Sequence, residues 1–68
     1  MKNRLKVARA EKNITQEELA AEIKVSRQTI NAIETGKYVP STLLALKMAK
    51  YFDMKVEALF ILEESDQE

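Results

Sequence analysis

Four side chains near the middle of the chain, those of Arg27, Gln28, Asn31 and Ala32, have the chemistry that proteins use to read base pairs. Arginine can donate two hydrogen bonds to guanine O6 and N7, and glutamine or asparagine can pair with adenine N6 and N7. An alanine methyl group can contact the methyl group of thymine. On one side of a helix, these four residues would suit contact with bases in the major groove of DNA.

Capping signals place these residues at the start of a short helix that follows another short helix. Thr15 and Glu18 form a capping box, in which each side chain accepts a hydrogen bond from a backbone N–H group at a helix start. The spacing of apolar residues then predicts a helix over about 16–23. Ser26 supplies a second capping hydroxyl and predicts a helix over about 27–35.

The short connection between these two helices limits how they can pack. Helices of about eight residues joined by about three or four residues must cross steeply, as in a helix-turn-helix. In that motif the second helix enters the major groove, and its N-terminal and outward-facing residues meet the base edges. The pattern therefore predicts that the helix over 27–35 reads DNA.

Several runs of sequence extend the pattern beyond the motif. They are ITQEELA, VSRQTINAIETGKY, Pro40-Ser41 with ALKMAKYF, and VEALF, and together they cover nearly the whole chain. With these runs the chain resembles the phage-repressor helix-turn-helix proteins, the Cro/C1 or XRE family, and within it the short stand-alone regulators of the cytolysin-repressor type. The resemblance implies an all-α, five-helix DNA-binding fold over a single domain, residues 1–68. It also implies a short two-stranded antiparallel ribbon formed by the N- and C-terminal segments.

The resemblance assigns roles to residues outside the predicted reading helix. Gln16 is expected to anchor a phosphate through its amide and the helix dipole. Arg9 and Glu34 are expected to form a structural ion pair, the alternative being two unrelated surface charges. Lys24 departs from the family pattern, because many relatives have glycine at this turn. A lysine at positive φ costs about 1 kcal/mol, so we expect strain or a different turn.

Further contacts to the DNA backbone are expected around the predicted reading helix. Lys37 and Tyr38 follow that helix, where an ammonium, a phenol and free backbone N–H groups can reach phosphate oxygens. An ordinary polar loop is the alternative for this segment. The residues expected to contact or approach phosphate, in addition to Gln16, are Thr29, Thr35, Lys37 and Tyr38.

Other signals outline the rest of the chain. Asn13 is expected to adopt left-handed geometry in a turn, and Gly36 is the one position where positive φ looks required. The segment from residue 63 onward is charged and is expected to fray. Further helices are predicted over about 4–12, 42–52 and 56–59 or 60.

Composition and charge bound the class of protein. With 46 % apolar residues, one Gly and one Pro, the chain predicts an all-helical fold with a small core. We expect a soluble cytoplasmic protein, since the sequence has no secretory signal or long apolar run. Residues 1–50 carry ten Lys and Arg against five Glu, whereas residues 51–68 carry one Lys against six Asp and Glu. This asymmetry lets one end face phosphate, although two solvated faces are the alternative.

Apolar residues outside the predicted core indicate a second contact surface. Leu43 and Leu46 fall off the buried face of their helix, and small cores often gain stability by association. We expect a homodimer contact on the C-terminal half, because the reading helix must remain free for DNA. The candidate interface residues are Leu43, Leu46, Met54, Phe60, Ile61 and Leu62.

These features favour a sequence-specific transcriptional regulator, in particular a repressor that binds a palindromic operator as a homodimer. An antitoxin-like module that binds a partner protein is the alternative, and exposed Leu43 and Leu46 are compatible with it. An enzyme is least favoured, because the chain has no His, no Cys and no Gly-rich phosphate loop. No cofactor or metal is expected. Any response to a signal would come through a second regulatory protein, another DNA-bound factor or altered dimer stability.

Overall fold

A computed structural model describes residues 1–67 of the chain. Within this range no helix is long and apolar enough to cross a membrane. The helices are α1 (Leu5–Lys12), α2 (Gln16–Ile23), α3 (Arg27–Glu34), α4 (Thr42–Tyr51) and α5 (Val56–Leu59), the strands are β1 (Lys2–Asn3) and β2 (Phe60–Ile61), and a 3₁₀ helix spans Glu64–Gln67.

The core draws on all five α-helices of the described chain. One or two large side chains from each helix are fully buried, because apolar residues at helical spacing form one continuous stripe on each helix. Small residues on α1, α2 and α4 let the helices approach closely, as Ala8, Ala20 and Ala49 are also buried. The largest fully buried side chains are those of Leu5, Leu19, Ile30, Ile33, Met48 and Leu59.

A two-stranded antiparallel ribbon joins the ends of the fold. Lys2 pairs with Ile61 and Asn3 pairs with Phe60. This confirms the expected ribbon between the terminal segments. Phe60 is only 9 % exposed and belongs to the core. The strand turns the Phe60 ring inward and Ile61 outward, so Phe60 presents little surface to a partner, and its place in a dimer interface stays a prediction.

Capping interactions are present at the starts of three helices, and those of Thr15 and Ser26 were predicted from the sequence. The Thr15 hydroxyl accepts from the Glu18 backbone N–H at 3.0 Å, and the Glu18 carboxylate accepts from the Thr15 N–H at 2.9 Å. Ser26 accepts from Thr29 N–H at 3.1 Å. Ser41 caps α4 in the same way. Each cap joins residues only three positions apart, so these helix starts depend on local sequence.

Helices α1 to α4 end in the same backbone turn, with a residue in left-handed geometry. Gly36 has the expected positive φ of 77°. The expectation that no other position needs positive φ is wrong, because Lys24 has φ 65° and Asp53 has φ 54°, in addition to Asn13 at 55°. After each of these residues, the next backbone N–H donates to a carbonyl five residues earlier, as Val25 does to Ala20 at 3.0 Å.

The acidic C-terminal segment is more ordered than its composition predicts. Residues 64–67 form a 3₁₀ helix, whereas we expected fraying from residue 63 onward. The N-terminal ammonium of Met1 lies 3.2 Å from both the Glu63 and Asp66 carboxylates. Asp66 also accepts from the Glu63 backbone N–H at 2.8 Å. Contacts between charged groups, rather than apolar packing, thus hold this segment against the N-terminus. The expected fraying of Glu68 lies outside the described residues.

Candidate nucleic-acid interface

Helix α3 presents one polar face to solvent and buries the opposite face. Ile30 and Ile33 are 0 % and 1 % exposed, so they hold the helix against the core. Arg27, Gln28 and Asn31 are exposed on the opposite side. We call this exposed side the reading face. Because its backbone is held by the buried isoleucines, α3 presents these side chains from a fixed support.

Ala32, the fourth residue expected to contact bases, is half-buried beside the reading face. Its carbonyl accepts hydrogen bonds from the backbone N–H groups of Lys37 at 2.9 Å and Tyr38 at 3.2 Å. Ala32 therefore holds the loop after α3 in place. The partial exposure leaves its side chain with less accessible surface than those of Arg27 and Asn31.

The turn before α3 sets the position of the reading face. Lys24 adopts left-handed geometry with φ 65° and ψ 46°, which is the turn that glycine would favour. Half-buried Val25 packs against the core and its N–H donates to Ala20. The Ser26 and Thr29 hydroxyls lie 2.9 Å apart. The Thr29 hydroxyl, expected near phosphate, thus also takes part in the cap of α3.

Arg9 and Glu34 form a bidentate ion pair between α1 and the end of α3. Arg9 Nε donates to Glu34 Oε2 at 2.6 Å, and Arg9 Nη2 donates to Glu34 Oε1 at 3.1 Å. Their side chains are 14 % and 5 % exposed. Hydrogen bonds to the Glu34 carboxylate raise the pKa of Arg9. Arg9 Nη1 also donates to the Ile14 carbonyl at 2.9 Å, so one guanidinium ties α3 to the segment that leads into α2.

Gln16 contacts helix α3, so its side-chain amide is not free to bind a phosphate. Its Nε2 donates to Asn31 Oδ1 at 3.2 Å and to Glu34 Oε1 at 3.1 Å. A side-chain amide nitrogen has only two hydrogens, and both are directed at these acceptors. The expected contact from this amide to phosphate would therefore require one of the two hydrogen bonds to open.

In the loop after α3, the backbone N–H groups of Gly36, Lys37 and Tyr38 are not free to bind a phosphate. The N–H groups of Lys37 and Tyr38 donate to the Ala32 carbonyl, and that of Gly36 donates to Ile33 at 3.0 Å. The expectation of free N–H groups at Lys37 and Tyr38 is therefore wrong, because they close the turn that ends the helix. The Lys37 ammonium and the Tyr38 phenol are on exposed side chains.

Thr35 ends α3 with its side chain turned toward its own helix. The hydroxyl donates to the Asn31 carbonyl at 2.9 Å and approaches the Ala32 carbonyl at 3.3 Å. A hydroxyl has one hydrogen to donate. To donate to a phosphate oxygen, Thr35 would have to leave the carbonyls of the last helical turn.

A shallow cleft of about 450 Å³ lies beside the reading face, at the start of α2. Asn13 lines it in left-handed geometry, and sequence reasoning assigned this residue only to a turn. Asn13 lies just before the N-terminus of α2, where the helix dipole favours an anion, and this position could have indicated that it lines the cleft. The residues that line the cleft are Arg9, Asn13, Ile14, Thr15, Gln16, Glu17 and Arg27.

The residues expected at a dimer interface have different degrees of exposure. Leu43 and Leu46 on α4 are 66 % and 52 % exposed, and Leu62 is 65 % exposed. Ile61 is also exposed, and Met54 is half-buried against the core. Leu43, Leu46 and Leu62 therefore present most of the apolar surface expected for a partner.

The arrangement of α2 and α3 defines a class of protein, the small helix-turn-helix proteins. A family model described as Helix-turn-helix matches residues 5–59. The chain therefore belongs to the XRE-type helix-turn-helix family, which confirms the resemblance at the family level. The finer likeness to regulators of the cytolysin-repressor type stays a prediction.

Relatives and a solved structure agree with this assignment. The chain is 58 % identical over 66 residues to an uncharacterized HTH-type transcriptional regulator of Methanocaldococcus jannaschii, covering 97 % of this chain and 100 % of the relative. It is 53 % identical over 66 residues to the uncharacterized HTH-type transcriptional regulator YgzD of Bacillus subtilis, with the same coverage of 97 % and 100 %. The crystal structure of the restriction-modification controller protein C.AhdI from Aeromonas hydrophila superposes with a TM-score of 0.75 at 32 % identity, covering 84 % of this chain and 83 % of that one.

Proposed function

We propose that the protein is a sequence-specific DNA-binding transcriptional regulator, which acts as a repressor by binding a palindromic operator as a homodimer. The observation that carries this proposal is the two-sided character of α3. Its inner residues Ile30 and Ile33 are buried, and its outer face presents Arg27, Gln28 and Asn31 to solvent. The names of the relatives, HTH-type transcriptional regulators, support the same class of function. The protein acts by binding rather than by catalysis.

The exposed residues of α3 divide into two roles on DNA. Arg27 is suited to guanine, and Gln28 and Asn31 have donors and acceptors for a neighbouring base. Ala32, being half-buried, offers a small methyl surface to thymine where the groove comes close. Residues around α3 hold the DNA backbone and set the register of the helix in the groove. The proposed backbone contacts are Gln16, Thr29, Thr35, Lys37 and Tyr38.

Two copies of α3 are needed to specify a site in a genome, because a single reading helix contacts only a few base pairs. In a two-fold symmetric dimer, the two helices lie about 34 Å apart and enter successive faces of the major groove. The exposed side chains of Leu43, Leu46 and Leu62 support a contact between copies on the face of α4 and the C-terminal segment. A two-fold interface uses this surface once from each copy.

Selection of bound sites from random double-stranded DNA tests this function. The expected result is an enriched palindrome with half-sites about one helical turn apart. Arg27→Ala is expected to change the enriched sequence at one position in each half-site. Lys50→Ala removes one positive charge from an exposed position on α4 and serves as the matched control, which should retain the wild-type sequence. No enriched sequence for the wild-type protein would contradict the proposal.

An antitoxin-like or partner-binding module is the second candidate. The large exposed fractions of Leu43 and Leu46 favour it, since an apolar surface suits a partner protein as well as a second copy. A stable complex with another protein, formed by a variant that no longer selects an operator because of Arg27→Ala and Asn31→Ala, would support this alternative. A protein that selects a palindrome and forms dimers without any partner would favour the repressor.

A further inference from the structure

Lys24 carries a Cβ atom at a backbone position that favours glycine. Its φ of 65° and ψ of 46° are left-handed, a geometry that costs such a residue free energy. The side chain is exposed, and no carboxylate oxygen among residues 1–67 lies within 4.0 Å of its ammonium. No ion pair within the described chain therefore offsets this cost. Strained residues cluster at binding sites, so the surroundings of Lys24 indicate where a ligand would bind.

Lys24 lies at the edge of a groove between the end of α2 and α4. A cleft of about 390 Å³ there is lined by three lysines, one glutamate and two largely apolar side chains, namely Glu22, Ile23, Lys24, Lys47, Lys50 and Tyr51. A second cleft, of about 210 Å³, shares residues 23, 24 and 47 with the first and continues along α4 to Leu43. We call the two adjoining clefts the basic groove.

The basic groove has an excess of positive charge. Three lysines against Glu22 give the first cleft a net charge of +2. Lys47 and Lys50 are three positions apart on α4, so their side chains share one side of the helix and repel each other. Among residues 1–67, none of the three lysines forms an ion pair. An anionic group from another molecule would therefore meet several ammonium groups that no carboxylate of the described chain already binds.

One wall of the basic groove is apolar and is held in place. Ile23 is 5 % exposed and belongs to the core. The Tyr51 and Phe52 rings meet edge to face at 78°, with their centroids 5.1 Å apart. Lys12 Nζ lies 4.8 Å from the centroid of the Tyr51 ring and adds a cation–π contact. A ligand that matches this groove therefore combines negative charge with apolar surface.

We propose that the basic groove is a docking site for an acidic segment of a partner protein, in which carboxylates stand beside apolar side chains. The carboxylates pair with Lys24, Lys47 and Lys50, and the apolar side chains lie against Ile23 and Tyr51. This role goes beyond the DNA-binding function proposed above, because no residue of α3 lines the groove. The reading face stays open to DNA while the segment is bound.

The length of the basic groove suits a short extended segment. It follows α4 from Leu43 to Tyr51, which at 1.5 Å per residue is about 12 Å. An extended polypeptide rises about 3.3 Å per residue, so three or four residues fill about this length. Leu43 also belongs to the proposed dimer surface, so the bound segment ends beside that surface.

A protein segment matches the groove better than the phosphate backbone of DNA does. Glu22 lines the groove and would repel a phosphate. The carbonyl groups at the end of α2 bring the negative end of the helix dipole to the same place. A polypeptide can put an apolar side chain over Ile23 and Tyr51, whereas the charged phosphates of DNA would leave this wall uncovered.

Titration with a defined acidic peptide tests the docking site. The probe is the acetylated and amidated hexapeptide Glu-Glu-Leu-Glu-Glu-Leu, added to the full isotope-labelled protein and followed by NMR. Amide shifts should change around Lys24, Lys47 and Tyr51 and saturate with a Kd below about 1 mM, and the affinity should fall as salt rises. The matched control, Gln-Gln-Leu-Gln-Gln-Leu, should bind at least about fivefold more weakly.

Substitutions in the groove separate binding from folding. Lys24→Gly removes one ammonium while it relieves the backbone strain, so a loss of peptide affinity of about two- to fivefold would reflect the lost contact and not a weaker fold. Lys47→Ala should cause a similar loss. Lys50→Ala should also weaken the peptide, but should leave the DNA sequence selected by the protein unchanged. Lys6→Ala removes the same charge from an exposed position on α1 outside the groove and should keep the wild-type affinity.

The alternative results overturn the proposal. They are the absence of saturable binding up to about 1 mM peptide, shift changes confined to residues outside the groove, and equal affinity for the neutral peptide or equal loss after Lys6→Ala. A DNA duplex of unrelated sequence that shifts the groove amides at lower concentration than the peptide would assign the groove to phosphate and would also overturn it. Because the peptide is titrated without DNA, these results do not depend on whether the protein selects an operator.

Discussion

Replacement of Lys24 by glycine should stabilise the protein. Lys24 occupies the turn between α2 and α3 with φ 65° and ψ 46°, and its side chain is exposed. Left-handed geometry costs a residue with a Cβ atom about 1–2 kcal/mol, a cost that glycine avoids. Glycine also makes the unfolded chain more flexible, which offsets about 0.4–1 kcal/mol of this gain. The expected net gain in the free energy of unfolding is about 0.5–1 kcal/mol.

This gain is measurable by thermal and urea unfolding. For a domain of this size, each kcal/mol shifts Tm by about 4–8 °C, so Lys24→Gly should raise Tm by about 2–8 °C. The slope of the unfolding free energy with urea should not change, because the folded surface is nearly the same. The turn would keep its hydrogen bond from the Val25 N–H to the Ala20 carbonyl.

Two matched substitutions show whether the backbone geometry is responsible. Glu22→Gly lies on α2 itself, in ordinary helical geometry, and should lower stability by about 1 kcal/mol. Asn13→Gly lies at φ 55°, and should change stability less than Lys24→Gly because asparagine tolerates this geometry. If Lys24→Gly lowered Tm, the reasoning would be refuted, and the lysine side chain would have to contribute more than its backbone costs.

Three further predictions concern DNA, association and pH. Arg27→Ala should weaken binding to the operator by about 1–3 kcal/mol and relax the base preference at one position per half-site. Lys37→Ala should weaken binding to all sequences similarly and lower by about 1 the slope of log affinity against log salt concentration. Equal loss of affinity for operator and random DNA after Arg27→Ala would contradict base reading. Leu46→Glu should shift sedimentation toward monomer and lower Tm relative to the wild-type protein, because a charge in a two-fold interface meets its own copy. The difference in Tm should be greatest at high protein concentration, where the wild type is dimeric. Val7→Glu, an exposed apolar position on α1, is the control, and an unchanged dimer for Leu46→Glu would move the interface elsewhere. The carboxylates of Asp66 and Glu63 raise the pKa of the Met1 ammonium above its ordinary value of 8.0, so the stability from this contact should be present just below pH 8 and lost as pH rises through the higher folded value. Protection of the amide protons in the 3₁₀ helix against exchange, corrected for the intrinsic pH dependence of exchange, should fall over that range, and unchanged protection would refute the role of the contact.

Helix starts could be predicted from the sequence because their interactions are local. The Thr15 and Glu18 box and the Ser26 cap join residues three positions apart, so a short window of sequence contains both partners. The apolar faces of α3 were predicted for the same reason, since helical periodicity brings Ile30 and Ile33 to one side. The ribbon joins distant segments, and it was predicted from the resemblance to a family rather than from local pattern.

The backbone turns were predicted only in part. Gly36 and Asn13 were recognised because their residue types favour left-handed geometry. Lys24 and Asp53 adopt the same geometry because the next backbone N–H must reach a carbonyl in the preceding helix, as Val25 reaches Ala20. Residue type is a weak signal where the packing of the next segment requires the turn.

The sequence alone determined the types of side chain on α3, the helix starts and the apolar faces, because these depend on residues within a few positions of one another. Only the tertiary structure decided what Gln16 contacts, since Asn31 and Glu34 lie 15 and 18 positions away. It also decided that the Met1 ammonium meets Asp66, 65 positions along the chain. A hydrogen bond between distant residues forms only where the packed core brings donor and acceptor together, and the sequence pattern does not encode that distance locally.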